Sequence, residues 1–289
     1  ADQFDIANMD ERVIDWIRSL GGGQLYGLSP SFSTSALYYN KALFDQYQIE
    51  YPRNRMTWEE VFQLAARFPT DGDEESRIYG LFRSAVQQTP VYDLLYLIGR
   101  TELLGWVDAK GKTFTFDTPE WRRVFAMVID GFKQGYVHRP TANAQQTGQA
   151  ADYHRSNLFT AGRAAMTVSG AYYLQELQFA GDTLGMTLPD WDVVTAPVSA
   201  KAPDETIHFS ASNLFAISAQ AEHAEAAWEV LKYKKRPASL PVPSAANFVP
   251  GRSITKGSAT AIWKRFACCT KRKGAAEPRR STGSTGKTL

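Results

Sequence analysis

The chain has 289 residues, 44% of them hydrophobic and 12% aromatic, with 32 Lys and Arg against 30 Asp and Glu. That apolar share suits a globular core of one or two domains, and no apolar run reaches the roughly eighteen residues that a membrane-spanning helix needs. The small net charge of +2 conceals a split, because thirteen basic residues and only one acidic residue, Glu277, fall within 234–289, leaving the rest strongly acidic.

In chain order, Asn8 with Glu11 caps a first helix whose Val13, Trp16, Ile17 and Leu20 form an apolar stripe, and Gly21 to Gly23 stop it. Leu25 to Pro30 leads into a strand at Ala36 to Tyr39, where Tyr38 and Tyr39 alternate between core and surface and Asn40 caps the strand end. After the Pro52 turn, Thr57 opens a helix to Phe68: its hydroxyl accepts from the third helical amide, Glu60 reaches back, and Val61, Phe62, Leu64, Ala65 and Phe68 lie on one face. Further helices are predicted near Val91 to Leu103, Pro119 to Lys133, Asp152 to Ala161 and Ala171 to Ala180. Strands are predicted near Ile78 to Phe82, Ala164 to Thr167, Trp191 to Ala196 and Asn213 to Ile217. Alternating strands and helices with short connections read as an α/β fold, and no repeat of fixed period is present. Trp106, in the GWVDAKGK turn, reads as a hairpin packing residue.

Several of these segments together resemble one family. Ala36 to Lys41 followed by Thr57-Trp58-Glu59-Glu60 is similar to the Tyr-Asn-Lys strand and Thr-Trp-Glu-Glu helix start of the extracellular solute-binding proteins of ABC importers, sugar-binding branch. Ile78 to Gly80, Phe114 to Val128, Leu158 to Tyr172 and Leu214 to Tyr233 match later family segments in the same order, and that order carries more weight than any single match. The resemblance implies an α/β fold of the periplasmic-binding-protein-like type II, with two lobes joined by crossing hinge strands and the ligand held between them. It assigns 1–31 to the end of the first pass of lobe 1, 32–195 to a nearly complete lobe 2, and 196–233 to the hinge and return to lobe 1, with the first lobe largely missing. It implies a sugar or oligosaccharide as ligand, ABC permease subunits as membrane partners, no cofactor, no nucleic acid and a monomer. The expected location is extracytoplasmic, in the periplasm or lipid-anchored to the outer membrane face; the chain as written shows no signal peptide.

The resemblance also nominates ligand contacts. Ser31, Ser33 and Thr34 precede the Tyr-Asn-Lys strand, where the family often places a polar ligand group. Gln87, Gln88, Thr89 and Tyr92 form a polar and aromatic loop between strand and helix. Tyr172, after Gly170, stands where the family commonly has a stacking Trp; Trp191 enters a crossing segment; and Ser210, Ser212 and Asn213 occupy a position often built from glycines. Flat rings and small hydroxyls suit sugars, whose axial C–H groups give an apolar face to stack on.

Other chemistries find less support. Asp190 with Asp192, and Asp71 with Asp73 to Glu75, raise a glycoside hydrolase as an alternative, but such adjacent carboxylates give no reason to face one another across a substrate. His138, His154, His208 and His223 lack a metal-ligand spacing, and there is no G-x-S-x-G or strand-linked G-x-G-x-x-G. Residues 234–289 are rich in Pro, Ser, Gly, Lys and Arg and read as a basic low-complexity tail, disordered or out of frame. Its GSTGKT does not make a phosphate loop, because Ser281 stands where the first glycine is required. A docking module with a basic nucleic-acid- or membrane-binding tail is the other alternative. Both cysteines, Cys268 and Cys269, lie in this tail, and a cysteine-free body suits export into an oxidising space.

Overall fold

The computed structural model describes residues 11–29, 31–73, 75–83, 90–108, 111–140, 150–212 and 214–234. In order the elements are α1 (Glu11–Leu20), β1 (Ser31–Ser33), β2 (Ser35–Asn40), α2 (Lys41–Gln46), α3 (Trp58–Ala65), β3 (Tyr79–Phe82) and α4 (Pro90–Thr101). There follow α5 (Pro119–Gln134), α6 (Ala150–Ser156), β4 (Ala164–Gly170), α7 (Tyr173–Asp182), β5 (Trp191–Thr195), β6 (Ser210–Ser212) and α8 (Ala224–Lys234).

The apolar run of β2 places it inside a four-stranded sheet of order β3-β4-β2-β5, antiparallel to both neighbours, while β3 runs parallel to β4. Alternation along the strands then sorts side chains to two faces. Leu37, Tyr39, Leu81, Met166, Val168 and Val194 join one core with Trp58, Val61 and Phe62 of α3, Ile98 of α4 and Trp121 and Val128 of α5. Ala36, Tyr38, Phe82 and Val193 join a smaller core with Phe159 and with Tyr173 and Leu177 of α7. Tyr38 and Tyr39 are therefore both buried, at 0% and 4% exposure, which corrects the expectation that one faces solvent: helices cover both sides of the sheet.

Local signals explain most of the boundaries. Thr57 Oγ1 accepts from Glu60 N at 3.2 Å while Glu60 Oε2 accepts from Thr57 N at 2.7 Å, the predicted reciprocal cap. Thr57→Ala is expected to lower stability by about 1 kcal/mol in urea unfolding, and Thr57→Ser to restore most of it. Asn40 does cap, but for a helix: its Oδ1 accepts from Leu43 N at 3.3 Å and starts α2. The helix predicted to run to Ala161 stops at Ser156 because Asn157 Oδ1 takes the amides of Phe159 and Thr160, both at 3.1 Å, diverting them from the helical ladder. In α1 the buried stripe is Val13, Ile14 and Ile17, and Leu20 is exposed beside the glycine turn. Asn8 and residues 235–289 lie outside the described residues.

A second, two-stranded sheet pairs β1 with β6 in antiparallel register, Ser31 opposite Ser212, Phe32 opposite Ala211 and Ser33 opposite Ser210. The returning strand thus begins before the predicted Asn213, with a further bridge between Leu28 and Phe215. Only Thr34 separates β1 from β2, so a single extended segment serves both sheets.

Candidate ligand-binding site

The parallel pairing of β3 and β4 brings their carboxyl ends to the same edge of the sheet, where antiparallel β2 begins. Open α/β sheets bind ligands just beyond such ends, because side chains there project from rigid strands into space that no strand fills. A cavity of about 200 Å³ lies at this edge, with Phe82 and Arg83 from the end of β3, Thr167 to Gly170 from β4, and Ser35 from β2. Tyr153 and Asn157, Tyr172 and Tyr173, Leu97 of α4 and His208 complete its wall.

Hydroxyls and rings dominate this wall, and packing holds them in place. Tyr173 donates to Asn157 Oδ1 at 3.0 Å, and Tyr38 beneath donates to the Gly170 carbonyl at 3.1 Å. Burial, above all, pushes the phenols of Tyr38, Tyr153 and Tyr173 up from their ordinary value, so they remain protonated hydrogen-bonding groups. Tyr172 is 57% exposed and lies across Gly170, where an added Cβ would sit 2.8 Å from its ring. The missing side chain is what lets the ring pack this close to the backbone at Gly170, and Ser169 Oγ donates to its hydroxyl at 3.4 Å.

Two nitrogen-bearing groups stand apart from the hydroxyls. Arg83 Nε donates to Asp93 of α4 at 2.8 Å, and its Nη1 donates to the Val168 carbonyl, tying β3 to its neighbours. His208, on the segment entering β6, lines the cavity with a shielded Nε2 that has no hydrogen-bond partner among the described residues. Desolvation first, then the guanidinium charges of Arg83 and Arg100, hold its pKa at about 4, so the ring is neutral near pH 7.

Of the nominated residues, Tyr172 lines the cavity. Thr34 is buried beside it, its carbonyl accepting from Ala171 N at 2.8 Å. The serines at 31, 33, 210 and 212 come together, from sequence positions about 180 residues apart, as facing positions of the β1–β6 ladder. Tyr92 is exposed on α4, stacked at 6.1 Å on Tyr96 and packed against Trp106, outside the cavity wall. Trp191 is moved away from the site: it pairs with Asn40 at the far end of β2 from Ser35, and its ring packs 5.9 Å from that of Tyr38. Gln87, Gln88, Thr89 and Asn213 lie outside the described residues. Arg83, Asn157 and His208 carried no sequence signal, since one follows a strand like any surface arginine and the others become neighbours only through the sheet.

Three of the carboxylates that suggested hydrolysis make structural contacts. Asp190 pairs with Lys41 at 2.8 Å and Asp192 accepts from Tyr39 at 3.4 Å, both at the end of β2 remote from the cavity. Asp73 accepts from the amide and hydroxyl of Ser76 at 2.7 and 2.6 Å, closing a local turn.

A mixed α/β sheet layered by helices, with a polar, aromatic cavity at its carboxyl edge, defines the class of a small-solute binding protein of the type II periplasmic fold. The chain belongs to the bacterial extracellular solute-binding protein family, whose family model matches residues 2–239. Among solved structures it is similar to a sugar transporter from Rhizobium etli in an open conformation, at 22% identity and a TM-score of 0.60, over 90% of this chain and 65% of that one. It is also similar to the sugar-binding protein MalE from Xanthomonas citri (17% identity, TM-score 0.53, 80% of this chain and 55% of that one). An ABC transporter solute-binding protein from Agrobacterium vitis with bound D-mannitol matches at 20% identity and a TM-score of 0.52, over 80% of this chain and 52% of that one. The chain thus spans between half and two thirds of the length of these proteins. No curated protein matches it.

Proposed function

We propose that this chain is part of the sugar-binding component of an ABC importer, and that it holds a sugar or sugar alcohol in the cavity beside β3 and β4 without altering it. The observation that carries this reading is the wall itself: six hydroxyl side chains, one of them on the exposed ring of Tyr172, and an amide. Sugars offer hydroxyls in every direction and apolar C–H faces, so a site made of rotatable hydroxyls with an aromatic plate matches both. Family membership supports it, as do the sugar-transporter, MalE and D-mannitol proteins that share the fold. About 200 Å³ is smaller than the roughly 300–1,000 Å³ of a drug-sized site. This suits one wall of a cleft whose other wall closes over the ligand.

In this reading residues 32–195 are the lobe that carries the cavity, and the β1–β6 ladder belongs to the hinge. Residues 196–233 then return toward the first lobe. Ligand contacts made only in the closed state drive closure, and the membrane-spanning ABC permease subunits recognise that state. Among the described residues no helix is long and apolar enough to cross a membrane.

The test is a panel of monosaccharides, sugar alcohols and maltooligosaccharides against the purified chain, followed by thermal unfolding and chromatography of the sugar. Binding raises the melting temperature, by the equivalent of about 2.7 kcal/mol at a hundredfold excess over Kd, and returns the sugar unchanged. Tyr172→Ala is expected to weaken binding roughly tenfold or more while leaving the unliganded melting temperature within about 2 °C, since the ring is mostly exposed. Appearance of hydrolysis products would assign the chain to the enzyme alternative.

A further inference from the structure

We infer that the solute held in this cavity carries a carboxylate, as uronic and aldonic acids do, and that its anion sits against Arg83 and His208. The inference rests on the proposed sugar-binding reading and narrows the class of sugar.

The donor balance of the wall points this way. A neutral sugar is best met by mixed donors and acceptors, and carboxylate side chains are strong acceptors for its hydroxyl protons. Among the described residues no carboxylate lines the cavity; the charged side chain that does is Arg83. Its counterion, Asp93, sits on α4 outside the wall, and among the described residues only two of its N–H donors are engaged, by Asp93 and by the Val168 carbonyl. A guanidinium has five donors in a planar fork suited to a carboxylate.

His208 is the second, independent observation. A polar nitrogen shielded from water costs stability unless something satisfies it, and Nε2 here has no partner among the described residues although its side chain faces a cavity. Arg83 and Arg100 act on this imidazole from β3 and α4 with Asp93 as the opposing charge, and the neighbouring phenols are neutral. The guanidiniums oppose a proton on this histidine; an entering anion would offset them, accept from the ring and supply the missing bond.

The experiment compares matched pairs on the full chain by isothermal titration: glucuronate with glucose, galacturonate with galactose, gluconate with glucitol. The acid of at least one pair should bind roughly tenfold or more tightly than its neutral partner, as a charge-assisted hydrogen bond supplies, and the preference should shrink as NaCl rises. His208→Leu should erase most of that preference while leaving the unliganded melting temperature unchanged or higher, because it removes an unsatisfied buried nitrogen; a merely structural histidine would lower it. Neutral sugars binding as well as or better than their acids would overturn this inference and leave the sugar-binding reading standing. A panel in which neither member of any pair binds would overturn both.

Discussion

Gly80→Ala is expected to cost this protein about 3 kcal/mol or more and to weaken the proposed sugar binding with it. Gly80 is buried in β3, and an added methyl would lie 2.6 Å from the carbonyl carbon of Ala65 and 2.7 Å from its Cα, at the end of α3. The obstacle is backbone, so truncating the Ala65 side chain cannot relieve it. Nor can β3 retreat. One edge is paired to β4, and on the other Leu81 donates to the Tyr136 carbonyl at 3.0 Å and accepts from His138 N at 2.9 Å. Overpacking a site with adaptable neighbours costs about 1–3 kcal/mol, and this site has a rigid neighbour on each side. With total stabilities of about 5–15 kcal/mol and roughly 2–4 °C of melting temperature per kcal/mol for a chain of this order, a drop near 10 °C follows. Because Phe82 and Arg83 continue the same strand into the cavity, the surviving folded fraction should bind poorly. Urea unfolding within about 0.5 kcal/mol of the parent would show that helix α3 and strand β3 are not packed in this way.

Acid should weaken the fold before its carboxylates titrate. Burial holds the pKa of both His138 and His208 at about 4, against 6.5 for an unhindered histidine, with Arg163 adding to the effect on the first and Arg83 and Arg100 on the second. Between these values the unfolded chain binds protons that the folded chain refuses, so the free energy of unfolding falls as pH drops from about 6.5 towards 4 and this contribution levels off below. Each pKa unit is about 1.4 kcal/mol. Each ring is half-buried as a whole with a shielded nitrogen, and partial screening of the charge brings the loss to about 2 kcal/mol for each. His138 packs edge-on against Tyr79 at 4.9 Å with its Nδ1 unpartnered among the described residues, so protonation charges a group enclosed by aromatic carbon. Urea midpoints at pH 7, 5.5 and 4.5 check this: stability should decline through the series, and His208→Leu should flatten part of the decline. A midpoint constant from pH 7 to 5 would contradict it.

Residue pattern alone located most elements because their signals are local. The Thr57–Glu60 cap, the Asp117-Thr118-Pro119 start of α5 and the apolar run of β2 each act within a few residues, and each appears where the spacing predicts. Thr118 accepts from Trp121 N at 3.2 Å, and Gly135 ends the same helix with a φ of 83°. Boundaries drifted where a side chain competed with the backbone, as at Asn157, or where pairing with a distant strand set the register, as at β6.

The candidate site was legible only in part. Tyr172 after Gly170 was visible because a small residue and an aromatic one sit together in the chain. Trp191 was ambiguous for the opposite reason: an aromatic entering a crossing segment has the same local appearance whether it faces solvent, ligand or core, and only its pairing with Asn40 puts it at the end of β2 away from this cavity.

What the order of amino acids determined by itself was the α/β class and most of the buried stripes, because hydrophobic periodicity and helix caps are short-range, while the family showed itself in the order of the segments that resemble it. What only the tertiary structure decided was which polar groups share a cavity. Arg83, Asn157, Ser169 and His208 come from four separate segments, and the parallel pairing of β3 with β4 and the return of the chain through β6 bring them to one edge. Sheet register is a long-range agreement between strands, and no single stretch of sequence contains it.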